Sequence, residues 1–198
     1  MNEKIPYNKN NITERPLEHY MGLFREADPA EMAARTGVHY DGKSFHLQVM
    51  GQERIISWPD FEDEGWGAKD KILFLHYLLE GKKVDPVSEF AAYNELPWGD
   101  VYDKNFRGRC VRRLVGMFGN RLDAFHEVCK KFGGTPTTGS GVGYDIEFMP
   151  GLFIKLIIWE GDEEFPSSGQ ILFSKNFPDA FAAEDRVIVC ELMLSLMK

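Results

Sequence analysis

Residues 142–159 have the pattern of two strands joined by a tight turn. In Val142–Met149, positions 142, 144, 146 and 148 are apolar, and the positions between them are polar or small apart from Met149, which is the period of a strand with one buried face. Pro150–Gly151 follows and suits a two-residue reversal. Leu152–Trp159 is apolar on both faces apart from Lys155, which predicts a central strand. Because the strands are joined by a short turn, we expect them to pair antiparallel.

The other segments predict an α+β fold with two groups of strands. Further strands are predicted at Val38–Tyr40, Ser44–Met50, Glu53–Trp58 and Gln170–Phe173, and a short one at Val87–Tyr93. Helices are predicted at Pro16–Ala27, from Asp28 to Gly37, and at Ala68–Glu80, Lys104–Phe118, Arg121–Phe132 and Ala183–Met197. We therefore expect antiparallel sheet or sheets of about six strands in two groups, packed with five to six helices.

The domain organisation follows from the polar start of the chain and from its length. Residues 1–14 predict a loose arm, and residues 15–198 a single α+β domain. Two lobes, at about 15–100 and 101–198, are the alternative. Whether the two strand groups form one sheet or two stays open at this point.

Composition excludes several classes of protein. The chain has 198 residues, of which 43% are hydrophobic and 27% charged, so it is neither collagen-like nor a disordered polymer. Its 23 basic and 31 acidic residues give a net charge of −8, which disfavours nonspecific binding to nucleic acid or to an anionic membrane. The opening residues lack the apolar run of a signal peptide, and no stretch reaches the length of about 18 apolar residues that a membrane span needs. A cytoplasmic protein is the expectation.

The cysteines predict reduced core thiols. Cys110, Cys129 and Cys190 are odd in number, and no two of them form a C-x-x-C pair. A disulfide framework and a four-cysteine metal or iron–sulfur site are therefore both disfavoured.

An acidic loop directly follows the predicted central strand. Between Trp159 and Phe165 it has four carboxylates: Glu160, Asp162, Glu163 and Glu164. Like charges that pack together raise one another's pKa, which suits an acid/base pair, and carboxylate oxygens also suit a hard cation such as Mg²⁺ or Ca²⁺. The alternative is a solvated turn, since acidic residues are common in exposed loops.

The segment 104–131 is basic, with eight cations and two acids. Its charge of +6 leaves −14 for the rest of the chain. Arg107 falls on the apolar side of a helical wheel, so we expect it to pair with an acid, with the 160–164 loop as a candidate. A phosphate or other anion pocket, or an RNA contact, is the functional interpretation, and a solvated helix face is the alternative. No nucleic-acid motif is present, so a nucleic-acid partner is not expected.

The histidine and glycine patterns give little indication of a catalytic, metal-binding or phosphate-binding function. His76 lies inside an apolar run and is either a core histidine or an acid/base group that faces a cleft. No two histidines have metal-ligand spacing, so no metal site is predicted from them. The glycine-rich stretch at 139–143 leads into a strand, which indicates a turn rather than a phosphate loop. No nucleophile motif occurs.

A set of short motifs resembles a known family. In chain order the motifs are LHYLL at 75–79, ELP at 95–97 with Gly99 and Tyr102, WEGDEEFP at 159–166 with Ile171–Phe173, and Glu184-Asp185. Together they resemble the family labelled domain of unknown function 3786, over roughly residues 15–196. The family occurs in bacteria and archaea, mostly anaerobes, and has no assigned activity.

The resemblance also suggests what kind of system the protein is associated with, and the chain departs from the family pattern at two positions. Some members carry an additional four-cysteine iron–sulfur module, which this chain lacks. The resemblance therefore implies a link to redox or corrinoid systems only through those other members, and not through the chemistry of this chain. This chain has Trp98 where the resemblance leads us to expect glycine, and Ala183 in place of a helix-capping hydroxyl.

Three hypotheses about function follow. The first is an accessory protein that binds a protein partner or a small ligand near the acidic loop, through residues drawn from His76, Trp98, Arg107, Trp159, Glu160, Asp162, Glu163 and Glu164. The second is a carboxylate- or metal-dependent hydrolase at Glu160–Glu164, and the third is a stand-alone partner of an iron–sulfur or corrinoid protein. The sequence indicates no particular cofactor, substrate or catalytic residue. The apolar last helix suits either a core or an oligomer interface.

Overall fold

The computed structural model describes residues 14–63 and 65–198, and its architecture is α+β with two antiparallel sheets. The predicted fold class is therefore confirmed. The chain forms two compact units, one of residues up to Leu47 together with Arg54–Lys82, the other of Gln48–Glu53 together with Lys83–Lys198. The predicted arm lies outside the described residues except for Glu14, which begins the first helix.

The N-terminal elements follow the predicted order closely. They are α1 (Glu14–Glu26), α2 (Pro29–Thr36), β1 (His39–Tyr40), β2 (Ser44–Val49), β3 (Gln52–Ser57) and α3 (Ala68–Glu80). The strands form a sheet of order β1-β2-β3. Asp28 caps α2 by accepting a hydrogen bond of 2.8 Å from the Ala30 N–H, and Gly37 ends it in the left-handed conformation.

The C-terminal elements build the larger sheet and its helices. They are β4 (Phe90–Ala92), a 3₁₀ turn (Tyr93–Glu95), α4 (Gly99–Phe106), a π-helical turn (Arg107–Val111), α5 (Arg112–Phe118), α6 (Leu122–Lys131), β5 (Thr135–Pro136), β6 (Val142–Met149), β7 (Leu152–Trp159), β8 (Ser168–Ser174), α7 (Phe177–Ala180) and α8 (Ala183–Leu196). The sheet order is β4-β8-β7-β6-β5.

The hairpin of β6 and β7 forms as predicted. Ile154, Leu156 and Ile158 are fully buried on one face of β7. Lys155, the charged exception in this strand, lies opposite Asp145 in the register, and its Nζ is 3.3 Å from the Asp145 carboxylate. The charge is thus tolerated beside the core because it has a cross-strand partner.

Three elements differ from the prediction. Helix α4 begins at Gly99 instead of Lys104, because its first turn is largely exposed and has no apolar period to detect. Strand β5 has only two residues, too few to show alternation, and α7 is a single turn. With the short edge strands included, the described residues form eight strands.

Helices α4 and α5 continue through the π-helical turn along β8. The Phe106 ring lies 5.7 Å from the Phe173 ring, and a Cβ built at Gly169 lies 2.9 Å from the Val115 side chain. At a rise of 1.5 Å per residue, Gly99 is about 30 Å from Gly119, where a Cβ would contact Ser167. The acidic loop therefore adjoins the C-terminal end of this long helix.

The π-helical turn explains the buried face of the long helix. Phe106, Cys110, Leu114 and Phe118 are all buried, although four-residue intervals drift away from one face of an α-helix with 3.6 residues per turn. The wider π turn takes up this drift and keeps the four side chains against the core.

The three cysteines are free and buried, as predicted. Helix α8 carries nine buried residues within the chain itself, which makes it a core helix. Among the described residues, no helix combines the length and apolar character that crossing a lipid bilayer requires.

Candidate functional site

The acidic loop is a compact turn that Asp162 holds together. The Asp162 carboxylate accepts hydrogen bonds from the backbone N–H groups of Glu164, at 2.8 Å, and Phe165, at 2.7 Å. The Asp162 N–H donates to the Phe165 carbonyl at 2.9 Å. A Cβ at Gly161 would lie 2.6 Å from the Ser167 nitrogen, so the turn requires glycine there. Glu160 and the carboxylates of 162–164 are exposed.

The electrostatics of Asp162 oppose a role as a proton donor. Backbone hydrogen bonds from Phe165 and Glu164 lower the pKa of Asp162. The prediction that crowding raises the pKa of the loop carboxylates is therefore wrong for Asp162. This carboxylate accepts hydrogen bonds from the backbone N–H groups of its own turn and so stabilises that turn.

No metal centre is found in the part of the chain that the structure describes. No three His, Cys, Asp or Glu side chains within 14–63 and 65–198 are grouped so that they could hold a metal ion.

The aromatic residues that flank the acidic loop differ in exposure. Trp159 is half-buried, and its indole N–H donates to the Ser140 hydroxyl at 3.3 Å. A Cβ at Gly141 would lie 2.8 Å from the indole nitrogen, so the glycine-rich turn packs directly against Trp159. Phe165, by contrast, is 67% exposed.

Arg107 does not reach the acidic loop. Its Nε donates to Asp103 on the same helix at 2.6 Å, and its side chain is 64% exposed. The expectation of a buried Arg107 paired with the 160–164 loop is wrong, because the wheel assumed uniform α-helix and the π-helical turn begins at this residue. An exposed pair of this kind contributes only about 0.3–0.5 kcal/mol.

His76 belongs to the first unit, whereas the other candidate residues belong to the second. It lies in the middle of α3, half-buried, with the Tyr20 ring 4.1 Å away in an edge-on arrangement. Its immediate neighbour is thus an aromatic ring of the same unit.

Trp98 is the most exposed large hydrophobic residue among those described. Its side chain is 76% exposed and its φ angle is +60°, in the left-handed region. This conformation is rare for a bulky residue and costs of order 1–3 kcal/mol. At the next position, a Cβ on Gly99 would collide with the Tyr93 carbonyl oxygen, so the turn packs tightly on the 3₁₀ turn beneath it.

A buried arginine, Arg186, is hydrogen-bonded to the backbone of the turn at Trp98. Arg186 is 1% exposed, and its guanidinium donates to the carbonyl of Pro97 at 2.5 Å and to that of Phe181 at 3.5 Å. The guanidinium carbon lies 5.5 Å from the centre of the Tyr93 ring. Burial lowers the pKa of Arg186, and its Nε has no hydrogen-bond partner among the described residues.

Sequence reasoning missed Arg186. The available signal was a lone arginine inside the otherwise apolar run of α8, in which Val187, Val189 and Cys190 are buried. Tyr93 completes the arrangement, since its hydroxyl donates to the Ala183 carbonyl at 2.7 Å and ties the 3₁₀ turn to the start of α8.

Trp98 and Val101 are two exposed apolar residues that lie close together in the chain, and they are here named the Trp98 surface. Val101 lies three residues further on, in the first turn of α4, and is 65% exposed. The exposed acids Glu95 and Asp100 flank it in the chain. This surface lies at the N-terminal end of the long helix and the acidic loop at the other end, so the structure does not bring Trp98 together with Glu160–Glu164.

Comparisons with known proteins give one match. The family model described as Domain of unknown function (DUF3786) matches residues 28–195. No curated protein and no solved structure matches the chain.

Proposed function

The chain belongs to the DUF3786 family, and we propose that it is an accessory protein that binds a protein partner through the Trp98 surface. The observation that carries the proposal is a large aromatic side chain, 76% exposed, on a left-handed backbone that a buried arginine fixes in place. Tryptophan is one of the residue types enriched among the few that dominate binding energy at protein interfaces.

Rigidity is the second support for this proposal. The Pro97 carbonyl is bonded to Arg186, and the Gly99 N–H donates to the Leu96 carbonyl at 2.9 Å, so the backbone on both sides of Trp98 is fixed before a partner arrives. A preorganised anchor loses little conformational entropy on binding. Backbone strain that the surrounding structure maintains is typical of functional sites.

Charge suggests the chemistry of the partner. Glu95 and Asp100 are exposed beside Trp98, and the chain carries a net charge of −8. A partner that supplies an apolar pocket with a basic rim suits this surface, and such an interaction should weaken as the salt concentration rises.

The hydrolase hypothesis has less support. The Asp162 carboxylate is engaged by its own turn and its pKa is lowered, so it is already ionised and poorly suited to donate a proton. A partner with an iron–sulfur or corrinoid group stays within the proposal as one kind of protein that the Trp98 surface could hold.

The test uses the full chain with a photo-crosslinking amino acid at position 100, beside the Trp98 surface, expressed in cells of its natural source. We expect a discrete crosslinked protein whose yield falls at least tenfold when Trp98→Ala is added. Phe165→Ala is the matched control, since Phe165 is an exposed aromatic at the far end of the long helix, and it should leave the yield unchanged.

Affinity measured with the identified partner then gives the decisive number. Trp98→Ala should cost about 2 kcal/mol or more, the range of an interface hot spot. Equal affinities of the native chain and the Trp98→Ala variant would show that this surface is not the binding site.

A further inference from the structure

A cleft in the second unit, remote from the Trp98 surface, joins an apolar floor to a cationic rim. It lies between the end of α5, helix α6 and the last residues of the chain, and has a volume of about 530 Å³. The apolar part of its lining, here called the floor, consists of Met117, Phe118, Ala124, Val128 and Met197. This volume lies in the range of about 300–1,000 Å³ that small-molecule sites occupy.

The rim carries more positive than negative charge. Arg121 and Lys131 stand at opposite ends of α6 and both line the cleft, together with Lys198 as a third cation and Glu127 as the acid. The ten-residue helix separates the Cα atoms of Arg121 and Lys131 by about 15 Å along its axis. This arrangement lies within the basic segment 104–131, the one strongly positive stretch of an otherwise acidic chain.

Arg121 and Lys131 are both available to a ligand. The Arg121 guanidinium donates to the Met117 carbonyl, which fixes its position beside the floor. The Lys131 ammonium lies 5.5 Å from the centre of the Phe132 ring. Neither forms an ion pair with any of the described residues, so an incoming anion would have no internal carboxylate to displace.

We propose that this cleft binds an aliphatic carboxylate, with its chain on the methionine-lined floor and its carboxylate on Arg121 or Lys131. Methionine side chains are flexible and adapt to unbranched chains, and a guanidinium pairs well with a carboxylate. The volume favours a small amphiphile over a peptide helix, which would need a longer groove. The proposal is independent of the proposed partner binding.

The experiment uses the full chain labelled with ¹³C at the methionine methyl groups and titrated with decanoate below its micelle concentration. We expect saturable shifts of the Met117 and Met197 methyl signals, identified by substituting each with leucine, and little change at buried Met32 in the first unit. 1-Decanol, which has the same chain without the charge, should bind at least tenfold more weakly.

Charge variants complete the test. The double variant Arg121→Gln, Lys131→Gln should lower decanoate affinity at least tenfold, whereas Lys130→Gln, which removes an exposed cation of α6 that does not line the cleft, should not. Unsaturable or chain-wide methyl shifts, equal binding of decanol, or unchanged affinity of the double variant would each overturn the proposal. The decanol comparison decides the question even if the double variant does not fold.

Discussion

At position 98, a bulky aromatic side chain stands on a backbone that glycine adopts at lower cost. The φ angle of +60° puts the Trp98 Cβ close to the following carbonyl, at a cost of roughly 1–2 kcal/mol. The surrounding contacts, above all the bond from Arg186 to the Pro97 carbonyl, maintain this conformation. The side chain gains little burial in return within the chain, so the strain is better explained by a role in binding.

Replacing Trp98 separates stability from binding. We expect Trp98→Gly to stabilise the protein by about 0.5–1 kcal/mol, because relief of left-handed strain exceeds the entropy that glycine loses on folding. Trp98→Ala keeps the strain and should show no such gain. Thermal unfolding measures both, with an expected rise of about 1–4 °C for the glycine variant, and both variants should lose partner binding.

Asp162 gives a pH prediction with a definite sign. Its pKa is lower in the folded chain than in the unfolded chain, so the ionised carboxylate stabilises the turn above the ordinary aspartate pKa. That contribution disappears as the pH falls through the lowered pKa. The melting temperature of Asp162→Asn should therefore be below that of the native chain at pH 7, and the difference should shrink as the pH falls below about 4. A difference independent of pH would contradict this assignment.

At the scale of elements, the long helix of α4, the π-helical turn and α5 shows which features a sequence can reveal. Its buried residues could be predicted, since Phe106, Cys110, Leu114 and Phe118 mark one apolar face. The position of Arg107 could not, because a helical wheel assumes a constant number of residues per turn and the π turn violates that assumption. The candidate site shared this weakness in part, since it counted Arg107 among the neighbours of the acidic loop.

Two glycines of this helix provide a matched pair. A Cβ at Gly99 would collide with the Tyr93 carbonyl oxygen, whereas a Cβ at Gly116 meets nothing within 4 Å. Gly99→Ala should cost about 3 kcal/mol, since backbone must move, and Gly116→Ala should gain about 0.5–1 kcal/mol from higher helix propensity. Denaturant unfolding of both variants checks the prediction, and similar stabilities would refute the packing of the turn on the 3₁₀ segment.

At the scale of the whole molecule, the hydrophobic period gave the fold class and the β6–β7 hairpin, because many residues contribute to each of those signals. It did not give the edge strand β5, the start of α4 or the turn at Trp98, where two or three residues and a long-range partner decide the structure. Arg186 meets Pro97 across much of the chain, and local patterns carry no information about such contacts.

The rate at which the cysteines are alkylated measures how readily the second unit unfolds. Cys110, Cys129 and Cys190 are all buried there, and burial raises the pKa of Cys129 and of Cys190. Native protein at pH 8 should therefore react with iodoacetamide far more slowly than denatured protein, in which three thiols should be labelled. Mass spectrometry counts the labels, and rapid modification of the native chain would be inconsistent with this core.

The strand order has a consequence for synthesis on the ribosome. Among the described strands, β4 pairs with β8 alone, and Phe90 lies opposite Ser174. At 5–20 residues per second, β4 is synthesised about 4–17 s before the last residue of its neighbour. During that interval the helices that follow β4 are made, but the strand they will cover is not yet complete. The nascent chain must therefore keep the edge of β4 that β8 will occupy from pairing with other chains until β8 is made.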